Sequence, residues 1–323
     1  MMTTAPAMVW SQQHKKWHCH DNQVIAEVLR SEQFVVPAYD YRPLEAKFSQ
    51  SFSHTKALIA HLPLALEGRA HGLARRRMQR DLKLRHKAAV AVFEQVLEQH
   101  ITALPDAAEG FDFKPILLQP ILESNWVFAG LNRQHFPGYQ DLTQVLDDAQ
   151  PLKARFARER RLQEFAEKMG GDDAAYRLAL LSVGVNALSS TLMHSFIKVL
   201  VNESFDQLQQ KKYFTNIGLK QIERVCVRDT TIAGRHICEG DRMRLYLEAF
   251  DTAKVTDAEK NKSFFLAGTP HACLGMRYSL AAWNSLTTML SKSFRCITVV
   301  GFDFDTSDGI FLSPSFVNVD FKK

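Results

Sequence analysis

The chain has 323 residues, 46% of them hydrophobic, enough to bury one large core around a cofactor-sized cavity or two medium cores. Its 40 Lys and Arg against 35 Asp and Glu leave a formal charge of +5, too mild to indicate nucleic acid but suited to an acidic redox partner. Five scattered cysteines (Cys19, Cys226, Cys238, Cys273 and Cys296), with no secretory apolar segment ahead of them, argue against a disulfide framework and predict a cytoplasmic protein.

No run approaches the roughly 18 apolar residues of a membrane span, and the start, MMTTAPAMVWSQQHKKWH, resembles neither a signal nor an anchor. Without repeats, low-complexity tracts or Gly/Ser linkers, residues 1–323 read as a single cofactor-centred domain. The first two-thirds reads helical. Val24, Ile25, Val28 and Leu29 make an apolar face behind the capping residue Asp21, and a long basic helix runs from about Arg69 to His100. Segments 113–129 and 151–168 follow with helical periodicity. Segment 172–201 is the longest apolar helix, with Asp172 and Asp173 suited to its N-terminal dipole; at about 1.5 Å per residue it spans roughly 45 Å. Strand signals appear only after residue 220, in ERVCVRDTTIAG, HICEGDRMRLYLEAF and RCITVVGFDFDTSDGIFLSPSFVNVDF, where Asp308-Gly309 signals a hairpin turn. The predicted fold class is mainly α with a small, late β region.

The strongest chemical signal is FFLAGTPHACLGMRYSLAAW, residues 264–283, a Gly/Pro loop presenting Cys273 just before an apolar helix opened by Gly275. The helix dipole and its free amides are expected to lower the thiol pKa and suit the thiolate to ligate iron, while Gly275 admits a flat macrocycle. The competing reading is a buried structural cysteine. Upstream, His71 and Arg75 lie four residues apart on one helix face, where they either hold an anion or form a solvated surface. Arg224 sits on a strand, and its guanidinium can grip a carboxylate bidentately.

Taken together, these segments resemble the cytochrome P-450 superfamily. His271-Ala272-Cys273-Leu274-Gly275 matches the end of that family's heme loop, although Phe265 and Gly268 lie one residue too far upstream, as if Pro270 were inserted. The stretch from His71 to Arg75 resembles the propionate-binding helix, Arg224 the propionate-binding strand arginine, and Val183-Gly184-Val185-Asn186-Ala187 the kink of the distal helix. Residues 17–37 are similar to the family's early strand and short helix. The resemblance implies a truncated cytochrome P-450-like fold holding heme b. Cys273 would be the axial iron ligand, with His71, Arg75, Arg224 and His271 around the propionates and Gly184 and Gly275 beside the cofactor.

Two departures bear on mechanism. Where the family carries an acid and a Thr that relay protons in oxygen activation, this chain has Asn186 and Ala187, with Ser189, Ser190 and Thr191 one turn on. The family's Glu-x-x-Arg pair is missing from residues 202–223, and Glu239-Gly-Asp-Arg242 lies after the strand turn, where it reads as coincidence. The expected function is a heme-thiolate oxidoreductase, monooxygenase-like, acting on a small molecule in secondary-metabolite biosynthesis with electrons from a ferredoxin or flavoprotein. One alternative is a heme-thiolate enzyme that does not activate dioxygen (peroxide-using, dehydratase or isomerase), with Asn186 positioning substrate. The other is a non-catalytic heme-binding protein. A shortened distal roof predicts an open pocket that a second subunit, in a homo-oligomer, would complete.

Two decoys are set aside. His14, His18, Cys19 and His20 suggest zinc, but alternation along a strand sends His18 and Cys19 to opposite faces. The run Arg69, Arg75, Arg76, Arg77 and Arg80 suggests nucleic acid, but a propionate anchor plus a partner-docking face accounts for it.

Overall fold

A computed structural model describes residues 7–131, 145–146, 150–182, 184–211, 214, 218–247, 265–305 and 310–323. The Asp21 carboxylate accepts the backbone N–H groups of Gln23 and Val24 and so starts α1 (Asn22–Arg30), whose Val24, Ile25, Val28 and Leu29 are all buried. Helices α2 (Arg42–Phe48) and α3 (Ser53–Ile59) are short. The basic helix α4 (Gly68–Ala103) is the longest, and it packs against α5 (Lys114–Ala129). Helix α6 (Leu152–Met169) supplies what α3 lacks. Phe52, at the N-cap of α3, has no capping side chain, and the buried Glu159 of α6 accepts instead from His54 N, Thr55 N and the Thr55 hydroxyl at 2.9, 2.9 and 2.7 Å.

The long apolar segment differs from its prediction. It forms two helices, α7 (Ala174–Ser182) and α8 (Val185–Asn202), divided at Gly184, which stands left-handed with φ 93° as the N-cap of α8. The apolar periodicity runs through this point, but the kink expected around Gly184 falls here, and an interruption of the ladder frees carbonyls. One of these, Leu181 O, is taken by the buried Asn125 side chain of α5 at 2.6 Å. Taken as one stretch, Ala174–Asn202 is long and apolar enough to cross a membrane, contrary to the expectation from composition; 76% of its most apolar window is buried within the protein, as befits a core helix. After the short α9 (Phe205–Leu208), α10 (Met276–Ser293) packs on α4.

Strands β1 (Met8–Ser11), β2 (Lys16–Cys19), β3 (Phe34–Val35) and β4 (Ala107–Asp112) precede β5 (Gln221–Cys226), β6 (Thr230–Ile232), β7 (Arg235–Ile237), β8 (Arg242–Tyr246), β9 (Cys296–Asp305) and β10 (Ser313–Lys322). The β region is therefore small but not only late. The main sheet runs β1-β2-β8-β5-β3, with β2 parallel to β8 and the other pairs antiparallel. The early strands hold four, four and two residues; β1 pairs with the neighbouring β2, while β2 and β3 pair with β8 and β5 far along the chain. A second sheet runs β4-β10-β9, and β6 pairs with β7. The expected turn at Asp308-Gly309 lies outside the described residues. A large core gathers the helices with β9 and β10, and a smaller one joins α1 to the main sheet, with Leu219 packed against both.

Candidate cofactor site

Helix α4 opens at Gly68, whose φ of 56° suits a residue without a Cβ, and the N-cap Glu67 turns its side chain away from its own helix. One carboxylate oxygen accepts Val36 N at 2.6 Å and faces His271 Nε2 at 3.3 Å. One turn on, the His71 ring lies tilted against that of His271, centroids 4.5 Å apart. A further turn places Arg75, whose Nη1 donates to Ala272 O at 2.7 Å. Burial pushes the His71 and Arg75 pKa values below their ordinary ranges.

Strand β5 contributes Arg224 because its residues alternate. Glu223 faces one way and gathers Lys16, Arg242 and Arg244, while Arg224 faces the other and is only 7% exposed. Arg224 donates to Glu223 O at 2.8 Å, and burial lowers its pKa against the opposing charge of Glu67. Burial likewise lowers His271, with Arg224 and His71 adding to the effect. Strand, helix and loop thus bring three cationic or cation-forming groups and Arg75 to one place.

Cys273 sits at the end of a closed loop. Its N–H donates to Phe265 O at 2.8 Å, and the loop between them passes through left-handed backbone at Leu266 (φ 52°) and Gly268 (φ 82°). Phe265 still packs against Phe214, and Phe214 against Trp283. The thiol departs from expectation. The amides of Gly275 and Met276 point at it and Arg75 favours the thiolate, but burial outweighs all three and holds its pKa above the ordinary value. The residue as a whole is nevertheless exposed to solvent. A Cβ on Gly275 would stand 3.7 Å from Sγ, beginning to fill the space beside it.

The distal positions lie at the start of α8. Asn186 and Ala187 are half-buried, and the hydrogen bonds seen at their carbonyls come from their own helix: Ser189 Oγ to Asn186 O at 3.3 Å and Thr191 Oγ1 to Ala187 O at 2.7 Å. Ser190 pairs with Ser313, and Thr191 also accepts Gly218 N at 3.2 Å. None of these bonds reaches the Cys273 cluster. Arg242 of the Glu-x-x-Arg lookalike binds Glu223 at 2.5 Å. In the N-terminal decoy, Cys19 is buried in the small core while His20 stacks on Tyr246 and His18 lies tilted against it. Of the α4 arginines, Arg77 binds Asp173 at 2.6 Å and lies over the Tyr176 ring.

The residues present fit a dianionic planar cofactor. His71 Nε2 and His271 Nδ1 are buried with no hydrogen-bond partner among the described residues, and carboxylate oxygens would accept from the first as an N–H and from the second once its ring is protonated. Glu67 was not evident as part of this set; its one signal is a carboxylate at the start of a predicted helix, where anions gather for other reasons.

No protein-family model and no curated protein matches the chain. Solved structures do. Cytochrome P-450 RauA, complexed with a biosynthetic intermediate of aurachin RE, is similar with a TM-score of 0.74 at 14% identity, over 98% of this chain and 93% of that one. Epothilone D-bound cytochrome P-450epoK gives 0.73 at 13% identity, over 98% and 93%. The heme domain of an Acinetobacter radioresistens cytochrome P-450 gives 0.71 at 12% identity, over 98% and 92%. The chain has the cytochrome P-450 fold.

Proposed function

We propose that this chain, as one domain, binds heme b with the Cys273 thiolate as axial iron ligand and acts as a heme-thiolate oxidoreductase on a small molecule. The observation that carries this reading is the convergence of His71, Arg75, Arg224 and His271, from three separate segments, around the loop that presents the exposed Cys273. When bound, a thiolate-ligated heme supplies electron density that favours O–O cleavage. The two arginines and two histidines would hold its propionates, Arg224 by its planar fork and the histidines through their unpaired ring nitrogens. Gly275 leaves clearance beside Sγ. Ligation to iron would displace the thiol proton that burial now retains. The small molecules bound to RauA and P-450epoK support a role in secondary metabolism, and the basic side of α4 suits an acidic ferredoxin or flavoprotein donor in the cytoplasm.

The reduced carbonyl spectrum tests the ligand. The purified chain is expected to show the red-shifted Soret band of a thiolate and Cys273→Ala to lose it; an unshifted band in the parent chain refutes the assignment.

A second reading, a heme-thiolate enzyme without dioxygen activation, is favoured by the commitments at the distal helix. Asn186 and Ala187 cannot relay a proton, and Ser189, Ser190 and Thr191 are engaged in protein hydrogen bonds. Turnover without oxygen, measured against turnover with reductant and redox partners or with peroxide, separates the two.

A further inference from the structure

Away from Cys273, three metal-ligating side chains of different chemistry converge where β5 gives way to the β6–β7 hairpin. The ligand atoms of Asp229, His236 and Cys238 all lie within 4.8 Å of one another, and all three residues are exposed. Local backbone accounts for the convergence. The hairpin turns through Ala233 and Gly234, both left-handed, and Ile237 is fully buried, so strand alternation sends its neighbours His236 and Cys238 outward together. Asp229 is tied to the same place because its Oδ1 accepts Glu239 N at 2.7 Å. The Cys238 N–H is fixed on Asp241 Oδ2 at 3.0 Å, an oxygen that also holds Trp17 Nε1 at 3.1 Å.

We propose that Asp229, His236 and Cys238 bind a borderline-soft divalent cation, zinc(II) first, through one oxygen, one nitrogen and one sulfur, leaving a fourth position for water. The thiolate and imidazole select against the hard cations magnesium and calcium, and three protein ligands with an open fourth position are an established zinc arrangement. Binding exchanges the Cys238 thiol proton, released to solvent, for a sulfur–zinc bond, with no change of oxidation state. The ion joins the end of β7 to the turn before β6 and so clips the hairpin. The site shares no residue with the Cys273 cluster and does not depend on the heme reading.

The test is metal content and affinity of the full-length protein, freed of metal by chelation, reloaded with zinc(II) and titrated against a chromophoric chelator. About one zinc per chain is expected, with Cys238→Ser and His236→Ala each weakening affinity by about 100-fold and Cys296→Ser leaving it unchanged. All the substituted side chains are exposed, so folding is preserved. In difference spectra against the same protein before metal addition, cobalt(II) is expected to give thiolate-to-metal charge transfer that Cys238→Ser removes. A parent chain that retains no zinc, or a Cys238→Ser chain that binds it as tightly as the parent, overturns the proposal.

Discussion

Arg224 and Glu223 are adjacent on β5 and face opposite ways, so each meets a different electrostatic problem. Burial alone would raise the Glu223 pKa, but Lys16, Arg244 and Arg242 outweigh it and leave the carboxyl below its ordinary value. A carboxyl with a folded pKa below its unfolded one stabilises fully above the unfolded value and loses that contribution as pH falls through the folded value. Glu223→Gln is therefore expected to unfold at lower urea than the parent near neutrality, with the gap closing in acid; urea midpoints across pH check it, and a constant gap contradicts it. Arg224 belongs to the cofactor reading. Rates of heme loss to an acceptor protein are expected to rise in the order parent, Arg224→Lys, Arg224→Ala, because lysine keeps the charge but not the fork. His71→Ala should also speed heme loss. At this scale much was legible: spacings of four along a helix and of two before Cys273 carry geometry in themselves. Glu67 was not, since its partners Val36 and His271 are distant in sequence.

Elements depend on groups they do not contain. Helix α3 is capped from α6, and Glu159 accepts four bonds at that end from His54 and Thr55 while only 4% exposed. Removing it strands buried donors, so Glu159→Ala is expected to cost about 2–3 kcal/mol of stability by urea denaturation, against roughly 0.5 kcal/mol or less for the exposed neighbour Arg160→Ala. The break between α7 and α8 follows the same logic. Gly184 has open space where a Cβ would go, so Gly184→Ala meets only backbone strain, about 1 kcal/mol in the same assay. Gly218 is the opposite case. A Cβ there would land inside Ser190, and the substitution is expected to be far more disruptive. Helix extents were readable from apolar periodicity, as for Lys114–Ala129 and Leu152–Met169. The break was not readable from periodicity, which continues through it; only the family resemblance, by its kink at residues 183–187, and the left-handed glycine mark it.

Across the whole molecule, the main sheet draws β1, β2 and β3 from the first 35 residues and β5 and β8 from beyond residue 220. Of these early strands only the one near residue 17 was expected, and from the family resemblance rather than from pattern, because a strand of two or four residues has no period to show. That arrangement fixes an order of events during synthesis. β2 pairs with Met243, Arg244 and Leu245, and β3 with Val225 and Cys226, so the opening segment must wait, partly unpaired, until the ribosome has passed residue 245. Arg224 lies in the strand between those two partnerships. The docking of the amino-terminal segment and the placement of this arginine are therefore one late, cooperative step in folding.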